Sequence, residues 1–553
     1  MKLNNPLSPT GFLFVVFCLL ISPVLAQGTQ LDSGRKYSNP IIRGYHPDPS
    51  ICRVGEDYYL VHSSNEYFPG IPIYHSRDLV NWQQIGHVLD RPSQLNLDGI
   101  KASAGIWAPT IRYHDGTFYV ITTLGAPKGG NFYVTATNPQ GPWSEPRFIP
   151  DAPGIDPDIF FDDDGKAYYS GNDRPEIQSP DTTKLRTIWV REINLKTGEW
   201  VGERKNILTE GAFRGASSAE GPHIYKKDKY YYLIIAEGGT GVTHSATVFR
   251  SKNIYGPYES NKKNPIITHR HLGEDFPIAC IGHADLVKTQ NGEWWMVLLG
   301  ARVYGDFDYN LGRETFLTPV TWEGGWPVVN AGYGQVTFTG KAPKLKEHLF
   351  EPKPSVVQFD TNTLGFEWNF IRTPRENFWS LTERAGWLRL KLRPEKLTEQ
   401  KSPSAITRRI TEFKFNASTS MNFSPKKDGE SAGMVILMSN NFHYRFEVIK
   451  DQGAQSIRLT LTNGGKETII AEKNYNEPNV YLKIWSSGPT EYHFDYATNK
   501  DQWIEFKHNV DARVLSKRNT QGFTGTMVGL YASSNGQSSD NVADFDWFEY
   551  SAE

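Results

Sequence analysis

The chain has 553 residues, of which 59 are basic and 61 acidic, giving a formal net charge of −2. That balance argues against nucleic acid or an anionic membrane as a partner, because both need a basic surface, and it suits a neutral ligand. Beyond the first 26 residues the chain has two cysteines, Cys52 and Cys280, too few for a disulfide scaffold. We predict two buried free thiols, with a single bridge between them as the alternative.

The first 26 residues have the features of a secretory signal peptide. Lys2 precedes an apolar run from Gly11 to Val24, and the small residue Ala26 follows it. The run is too short for a confident membrane span, and no later segment of the sequence is apolar enough to be one. We therefore predict an exported protein, periplasmic or, as the alternative, secreted from the cell.

Five short repeats follow between residues 38 and 340. Each has a strand-like opening with Pro or Ala near its middle, a polar turn, and a strand rich in aromatic and aliphatic residues, which is typical of a β-hairpin. Between neighbouring repeats lie 47 to 64 residues, counted from the equivalent positions Asp48, Ala108, Asp156, Gly221 and His283. Hairpin repeats of this size predict a five-bladed β-propeller whose first strands face a common axis.

The pattern changes beyond a connector at residues 341–354 that carries lysines and prolines. Segments between residues 355 and 553 alternate apolar and polar side chains and are separated by Asn, Gly and Asp turns. Such alternation is typical of antiparallel strands with one solvated face. We therefore predict an all-β chain, with a five-bladed propeller over residues 38–340, a linker, and a jelly-roll-like β-sandwich over residues 355–553.

The propeller prediction places three acidic side chains, Asp48, Asp156 and Glu220, in one central funnel. Hydrolysis of a glycosidic bond needs one carboxylate to activate water and one carboxylic acid to protonate the departing oxygen. The acid must have its pKa raised by burial or by a nearby negative charge. Packing does not readily explain inward carboxylates in three blades, because buried acids are costly unless paired or functional. Structural acids held by backbone N–H groups or a metal ion are the alternative.

Six motifs in order along the chain resemble those of glycoside hydrolase family 43. They are HPDPSI (46–51), GIWAP (105–109), IDPDIFFDDDGK (155–166), AEGPHIYK (219–226), IGH (281–283) and LGRET (311–315). The resemblance is to the group whose propeller carries a C-terminal β-sandwich, and it extends over nearly all of the chain after the signal segment. It implies an exo-acting hydrolase that inverts configuration and requires no cofactor.

The resemblance also implies roles for individual residues. Asp48 would be the general base, Glu220 the general acid, and Asp156 the residue that orients the acid and raises its pKa. Inversion then predicts that the carboxyl groups of Asp48 and Glu220 lie about 6.5 to 9.5 Å apart, with room for a water between them. Substrate-binding positions are predicted at Arg313, Trp107, Phe68, His283 and His244. For Trp107 and Phe68, plain packing is the alternative.

Calcium is the metal that the resemblance suggests. His283 would lie on the funnel floor, where this family often holds a water-liganded calcium ion or a structural water. Glu367 and Asp546 resemble acids that hold a structural calcium in some sandwich domains, with solvated strand ends as the alternative. In similar enzymes a sandwich loop reaches over the propeller mouth, and the candidate here is the polar segment 532–541, which has no aromatic residue.

The predicted function is release of terminal non-reducing α-L-arabinofuranosyl residues from hemicellulose side chains, as in arabinoxylan or xyloglucan oligosaccharides. A β-xylosidase acting on xylo-oligosaccharides, or an enzyme with both activities, is the alternative, because the two sugars present similar hydroxyl patterns. A propeller that binds carbohydrate without cutting it is the alternative from another functional class.

Overall fold

The computed structural model describes residues 34–175, 185–213 and 217–553, so the predicted signal peptide lies outside the described residues. The described part is almost entirely β-structure, as predicted. Its helices are a 3₁₀ turn at Ala512–Leu515 and one α-helical turn at Lys517–Thr520. No helix among these residues is long and apolar enough to cross a membrane.

Five antiparallel sheets form the blades of a β-propeller, which confirms the fold that the repeats predict. The strands of the first blade are Ser50–Val54, Asp57–Val61, Gly70–Ser76 and Gln83–Leu89. Those of the second are Gly105–Ile106, Thr110–His114, Thr117–Gly125, Gly130–Ala136 and Arg147–Phe148. Those of the third are Asp158–Phe161, Ala167–Asp173, Thr187–Asn194 and Glu199–Leu208.

The remaining two blades follow the same plan. The strands of the fourth are Glu220–Lys227, Tyr230–Glu237, Ser245–Ser251, Glu259–Ser260 and Ile267–Thr268. Those of the fifth are Ile278–Lys288, Trp294–Arg302, Glu314–Glu323 and Trp326–Val329. A small sheet of Lys36–Ser38 and Thr339–Lys341 joins the two ends of the propeller segment.

Each repeat opens with the hairpin that its sequence predicts, and the second blade illustrates why. Thr110–His114 pairs with Thr117–Gly125 across a two-residue loop. Both loop residues, Asp115 and Gly116, have positive φ angles, 45° and 77°. Two central residues in this region make the turn whose twist matches that of the flanking strands, and Asp-Gly is a favoured sequence for it.

A buried ion network closes the propeller axis just beyond the positions predicted to face the funnel. Arg112 of the second blade donates hydrogen bonds to Asp285 (2.9 Å) and His223 (3.0 Å), pairs with Asp158 (3.0 Å), and has Ser50 Oγ 3.5 Å away. These four partners come from the four other blades, so the guanidinium must lie at the centre of the ring. Both aspartates are fully buried, and Arg112 supplies their counter-charge.

Replacing Arg112 by methionine is expected to lower the free energy of unfolding by about 3–5 kcal/mol, because two buried carboxylates would lose their compensating charge. Urea denaturation followed by tryptophan fluorescence measures the change. Arg77→Met is the matched control, since Arg77 pairs with the exposed Glu56 on the surface and such pairs contribute about 1 kcal/mol or less. Equal losses in the two variants would contradict a special role for the axial network.

The C-terminal half forms a β-sandwich of two eight-stranded sheets, as predicted. The strands of one sheet, in chain order, are Val356–Val357, Trp379–Ser380, Leu388–Lys391, Lys414–Asn422, Asn479–Ser487, Glu491–Ala497, Ile504–Asp511 and Val542–Ala552. Those of the other are Tyr67–Phe68, Asn369–Ile371, Ser404–Arg409, Ser431–Ser439, Phe442–Asp451, Ala454–Asn463, Lys466–Asn474 and Met527–Ser533.

One sandwich sheet takes its edge strand from the propeller. Tyr67 and Phe68, which follow the second strand of the first blade, pair with Ile371 and Phe370 of the sandwich. The two domains therefore share a sheet rather than merely touching.

Cys52 and Cys280, one in each of two blades, are both buried and free. This agrees with the prediction of two free thiols and not with a bridge between them.

Candidate active site

A single cavity of about 280 Å³ contains all three carboxylates that the sequence selects. Asp48 comes from the first blade, Asp156 from the third and Glu220 from the fourth, and each lies at the start of an inner strand. The other residues that line the cavity are Asn65, Trp107, Ala108, Ile155, Ser218, Gly239, Thr240, His283, Arg313 and Phe523.

A residue with a positive φ angle occupies the same repeat position in four of the five blades, just before the inner strand in the first and third and at a register shift within it in the fourth and fifth. Asp48, Asp156, Gly221 and His283 occupy equivalent repeat positions, and their φ angles are 53°, 54°, 55° and 48°. Glycine adopts this left-handed region readily, whereas for other residues it costs about 1–3 kcal/mol each and, apart from Asp and Asn in turns, is concentrated at functional sites. The repeat thus fixes both the position and the unusual conformation of these residues. In the fourth blade the repeat position is Gly221, and Glu220 directly precedes it.

Asp48 is held in its ionised form. One carboxylate oxygen accepts a hydrogen bond from Arg313 Nη1 at 2.8 Å, and the other accepts one from Ser63 Oγ at 2.6 Å. Burial alone would raise the pKa of Asp48, but Arg313, His283 and the Ser63 hydroxyl outweigh it, and the pKa lies below its usual value. A carboxylate in this state can accept a proton from water.

Glu220 and Asp156 have the opposite electrostatics. Burial, followed by the negative charge of Asp48, raises the pKa of Glu220 to about 7, although Arg186 and Arg313 act in the other direction. Burial and the charges of Glu220 and Asp48 also raise the pKa of Asp156. The pair therefore retains a proton near neutral pH, because two neighbouring buried carboxyl groups cannot easily both ionise.

The two histidines that the sequence selects lie on one side of the cavity and are neutral. His283 lines the cavity, and its ring lies so close to Gly221 that a Cβ there would be 2.9 Å from it. His244 is one layer behind, against Gly282, and its Nδ1 donates to the carbonyl of Cys280 at 2.9 Å. Burial lowers the pKa of each imidazole to about 4.

Trp107 lies in the cavity wall, whereas Phe68 does not. A Cβ on Gly125 would be 2.5 Å from the Trp107 ring, so this glycine lets the indole lie flat against the neighbouring strand, and Trp107 Nε1 donates to the carbonyl of Ser103. Phe68 is instead buried between the domains, with its ring centre 6.5 Å from that of Phe370. The structure therefore favours packing, the alternative left open for Phe68.

Phe523 of the sandwich domain covers part of the cavity mouth, and the sequence analysis missed it. Its N–H donates to Ser103 Oγ at 2.8 Å, and its carbonyl accepts from Arg313 Nη2 at 3.3 Å. The Arg313 guanidinium carbon is 5.6 Å from the centre of its ring. One arginine thus contacts both the carboxylate of Asp48 and the aromatic residue supplied by the other domain.

A contact between two glycines positions this loop. A Cβ on Gly312 would be 2.8 Å from Cα of Gly525, and one on Gly525 would be 2.3 Å from the carbonyl oxygen of Leu311. Gly312 belongs to the LGRET motif, so the motif supplies a docking surface as well as Arg313. The aromatic residue within QGFTGT, residues 521–526, was the available sequence signal.

The polar segment 532–541 is not the loop that covers the cavity mouth. Ser534 N–H donates to the carbonyl of Arg393, while Ser539 Oγ and Asn541 Nδ2 donate to the carboxylate of Glu430. These partners all belong to the sandwich. Phe523, in the preceding connection between the helical turn Lys517–Thr520 and the strand Met527–Ser533, supplies an aromatic residue to the cavity instead.

The residues predicted to bind calcium are not accompanied by a suitable set of ligands in the described part of the chain. Among the described residues, no group of three or more His, Cys, Asp or Glu side chains could hold a metal ion. Asp285, two residues beyond His283, already receives the positive charge of Arg112, so the donors do not fit a cation at the funnel floor. Glu367 pairs with Lys353 at 3.1 Å, whereas the charged neighbours of Asp546 are Arg384, Asp360 and Lys500.

Family models match both domains of this chain. The model for glycosyl hydrolases family 43 matches residues 37–327, and the model for the β-xylosidase C-terminal concanavalin A-like domain matches residues 356–551. The chain belongs to glycoside hydrolase family 43. This assignment confirms the resemblance drawn from the motifs and identifies the protein as a glycosidase.

Relatives of this family 43 glycosidase match it over nearly its whole length. It is 43% identical to a xylosidase/arabinosidase of Butyrivibrio fibrisolvens, over 92% of this chain and 98% of that protein. It is also 43% identical to a non-reducing end α-L-arabinofuranosidase of Bacteroides ovatus, over 93% of this chain and 95% of that protein.

Two solved structures have the same two-domain arrangement. The Bacteroides ovatus structure called Xyloglucan PUL GH43B has a TM-score of 0.87 at 42% identity and covers 94% of this chain and 100% of that one. The xylan β-1,4-xylosidase from Bacillus halodurans C-125 has a TM-score of 0.88 at 36% identity and covers 93% of this chain and 99% of that one.

Proposed function

We propose that this glycosidase is exo-acting and inverting, and that it releases terminal non-reducing α-L-arabinofuranosyl residues from hemicellulose side chains. The observation that carries the proposal is the opposed electrostatics of the carboxyl groups in one cavity, with the pKa of Asp48 lowered and that of Glu220 raised to about 7. An ionised base and a protonated acid are the two groups that single-step hydrolysis of a glycosidic bond requires.

In the proposed mechanism Asp48 removes a proton from the attacking water. Arg313 and Ser63 fix its two oxygens, so the carboxylate is ionised and oriented before the attack, and it takes up the proton as the water oxygen bonds to the anomeric carbon. Glu220 gives its proton to the departing oxygen. Asp156, whose charge interacts with that of Glu220, orients the acid and helps to keep it protonated until the bond breaks.

The shape of the cavity supports release of single sugars. Its volume of about 280 Å³ is just below the range typical for ligand sites, about 300–1,000 Å³. Below it, Arg112 closes the propeller axis. Thr240 also lines a neighbouring groove of about 690 Å³, which includes Phe307 and Lys517, and we propose that the leaving-group part of the substrate lies there.

Replacing Phe523 by alanine is expected to raise KM for arabino-oligosaccharides about two- to tenfold with little change in kcat, because the ring would contact the substrate without taking part in bond cleavage. Aromatic contacts of this kind contribute about 0.5–1.5 kcal/mol. Initial-rate kinetics measure the effect. Phe366→Ala, which removes another exposed phenylalanine, is the control and should leave KM unchanged. A normal KM in the Phe523 variant would contradict a role in substrate contact.

The pH dependence of kcat/KM should reflect the raised pKa of Glu220. Activity requires Glu220 to be protonated, so kcat/KM should fall as the pH rises through about 7. Asp156 and Glu220 raise each other's cost of ionising because they share one buried site, and an Asp156→Asn variant cannot place a second negative charge there. The remaining carboxyl group should therefore lose its proton more easily, which moves this alkaline limb to lower pH. A pH–rate profile of both proteins measures the shift. An unmoved limb would mean that Asp156 does not raise the pKa of the acid.

A β-xylosidase, or an enzyme with both activities, is the second candidate, favoured by the relative named xylosidase/arabinosidase. Hydrolysis of 4-nitrophenyl α-L-arabinofuranoside and β-D-xyloside distinguishes the two, and a tenfold preference for the xyloside would overturn our choice. Proton NMR of the first sugar anomer released tests inversion. Identification of the monosaccharides released from arabinoxylan and xyloglucan oligosaccharides then assigns the polysaccharide.

We further propose that residues 1–26 direct export to the periplasm.

A further inference from the structure

Ser103 lies outside the lining of the catalytic cavity but is hydrogen-bonded to three residues that belong to that lining. Its carbonyl oxygen accepts from Asn65 Nδ2 at 2.9 Å and from Trp107 Nε1 at 3.1 Å. Its Oγ accepts from the N–H of Phe523 at 2.8 Å. The three partners belong to the first blade, the second blade and the sandwich, so parts of the cavity that are distant in sequence all contact one residue.

The backbone of Ser103 has a left-handed conformation that its surroundings maintain. Its φ angle is 67°, and such a conformation persists in a residue other than glycine only where neighbouring contacts fix it. One of these contacts is the hydrogen bond that the N–H of Ser103 donates to the buried carboxyl group of Glu66, at 2.8 Å. Ser103 is therefore held from the side that faces away from the cavity.

The connection that carries Ser103, residues 90–104, is also bound to the sandwich. Arg372 Nε donates to the carbonyl of Ile100 at 2.8 Å, and Thr373 Oγ1 donates to the carbonyl of Leu95 at 2.7 Å. Arg372 and Thr373 are both buried. The sandwich thus helps to fix the position of the residue on which its own aromatic side chain, Phe523, depends.

The loop that contains Phe523 comes close to Ser103 because a glycine precedes the phenylalanine. A Cβ on Gly522 would be 2.9 Å from Ser103 Oγ. The Phe523 ring is 43% exposed, so packing constrains it less than it would a buried ring, and the hydrogen bond on its N–H limits where it can lie. We propose that Ser103 is a positioning residue that holds the Phe523 ring and the Trp107 indole in a fixed relation within the sugar site.

Ser103→Ala removes the Oγ acceptor and leaves the backbone groups in place. For the best substrate of the wild-type enzyme, KM should rise about two- to fivefold with kcat nearly unchanged, because a displaced ring weakens substrate contact without touching the reacting atoms. Initial-rate kinetics measure both constants. Ser93→Ala, in the same connection and bonded to the exposed Glu145, is the matched control and should leave KM unchanged. A wild-type KM in the Ser103 variant would refute the proposal.

Ser103→Gly separates positioning from backbone strain. Glycine adopts a φ of 67° readily, so this variant should melt no lower than Ser103→Ala. Its KM should nevertheless rise as much, because the acceptor for the Phe523 N–H is still missing. If KM instead returned to the wild-type value, strain rather than the hydrogen bond would be the cause, and Ser103 would not be a positioning residue.

Combination with Phe523→Ala tests whether Ser103 acts through the ring. When the ring is absent, loss of the Ser103 hydroxyl has nothing left to displace, so the double variant should have the KM of Phe523→Ala alone. Multiplication of the two single effects would mean that Ser103 acts by another route, which contradicts the proposal.

The inference rests on the proposed catalytic cavity, but not on which sugar occupies it. The substrate of these assays is chosen by activity, so a preference for xylosides would refute the proposed specificity and leave the Ser103 comparison valid. Failure of the proposed acid and base would appear as a preserved kcat in Glu220 and Asp48 variants, a measurement that does not involve Ser103.

Discussion

Glu220→Gln is expected to lower kcat on arabino-oligosaccharides by about 10²- to 10⁴-fold, the usual contribution of a general acid. An amide of the same shape fills the site but cannot donate the proton that the departing sugar oxygen needs. With 2,4-dinitrophenyl arabinofuranoside the loss should be much smaller, because that leaving group departs as a stable anion without protonation. Steady-state kinetics on both substrates measure the difference.

The leaving-group comparison is what makes this experiment specific. A variant that merely misfolds loses activity on both substrates equally. Glu210→Gln, the same substitution at an exposed position of the neighbouring loop, is the control and should retain full activity on both. Equal losses on the two substrates in a folded Glu220 variant would remove Glu220 from the role of acid.

Asp48→Asn is expected to lower kcat by a similar factor, about 10²- to 10⁴-fold, but on both substrates alike. Activation of water is required whichever group departs, so a good leaving group cannot compensate for a missing base. The same kinetic assays therefore separate the two carboxyl groups by role. Preserved activity on the dinitrophenyl substrate would show that Asp48 is not the base.

The fold of the Asp48 variant needs a control of its own. Asp48 holds a left-handed backbone conformation and pairs with the buried Arg313, so its replacement leaves that cation without a charge partner. Asn tolerates the same backbone region, and Asp115→Asn makes the identical change at an exposed residue of positive φ. Activity should persist in the Asp115 variant, and melting temperatures report any loss of stability at Asp48.

The repeats carried most of the information about the propeller. Each hairpin is a local structure whose turn residues and strand pattern lie within about 20 positions, as in the Asp115–Gly116 turn. A repeated local unit also defines which residues are equivalent, so the convergence of Asp48 and Asp156 followed from topology alone. The sandwich was predictable for the same reason, since strands such as Asn479–Ser487 alternate buried and exposed residues along their length.

Contacts between distant parts of the chain were not predictable in this way. Phe523 reaches the cavity because Gly525 packs on Gly312, and these residues are 213 positions apart in different domains. Likewise nothing in the sequence distinguishes Arg112 from other strand residues. Only the closed ring of blades shows that it contacts residues of the four other blades. For Phe68 the sequence left packing and a pocket wall both open, because an aromatic residue beside a loop fits a pocket wall and a domain interface equally well.

The two-residue strand Tyr67–Phe68 has a consequence for modular engineering. Cutting the chain at the connector would leave this segment without the neighbour that completes its hydrogen bonds, and would uncover the edge at Asn369–Ile371 on the other fragment. Unpaired edges of that kind promote aggregation. When C-terminal domains are exchanged between homologous enzymes, the chimeras should therefore remain soluble only if the transferred part includes both Tyr67–Phe68 and its partner strand Asn369–Ile371.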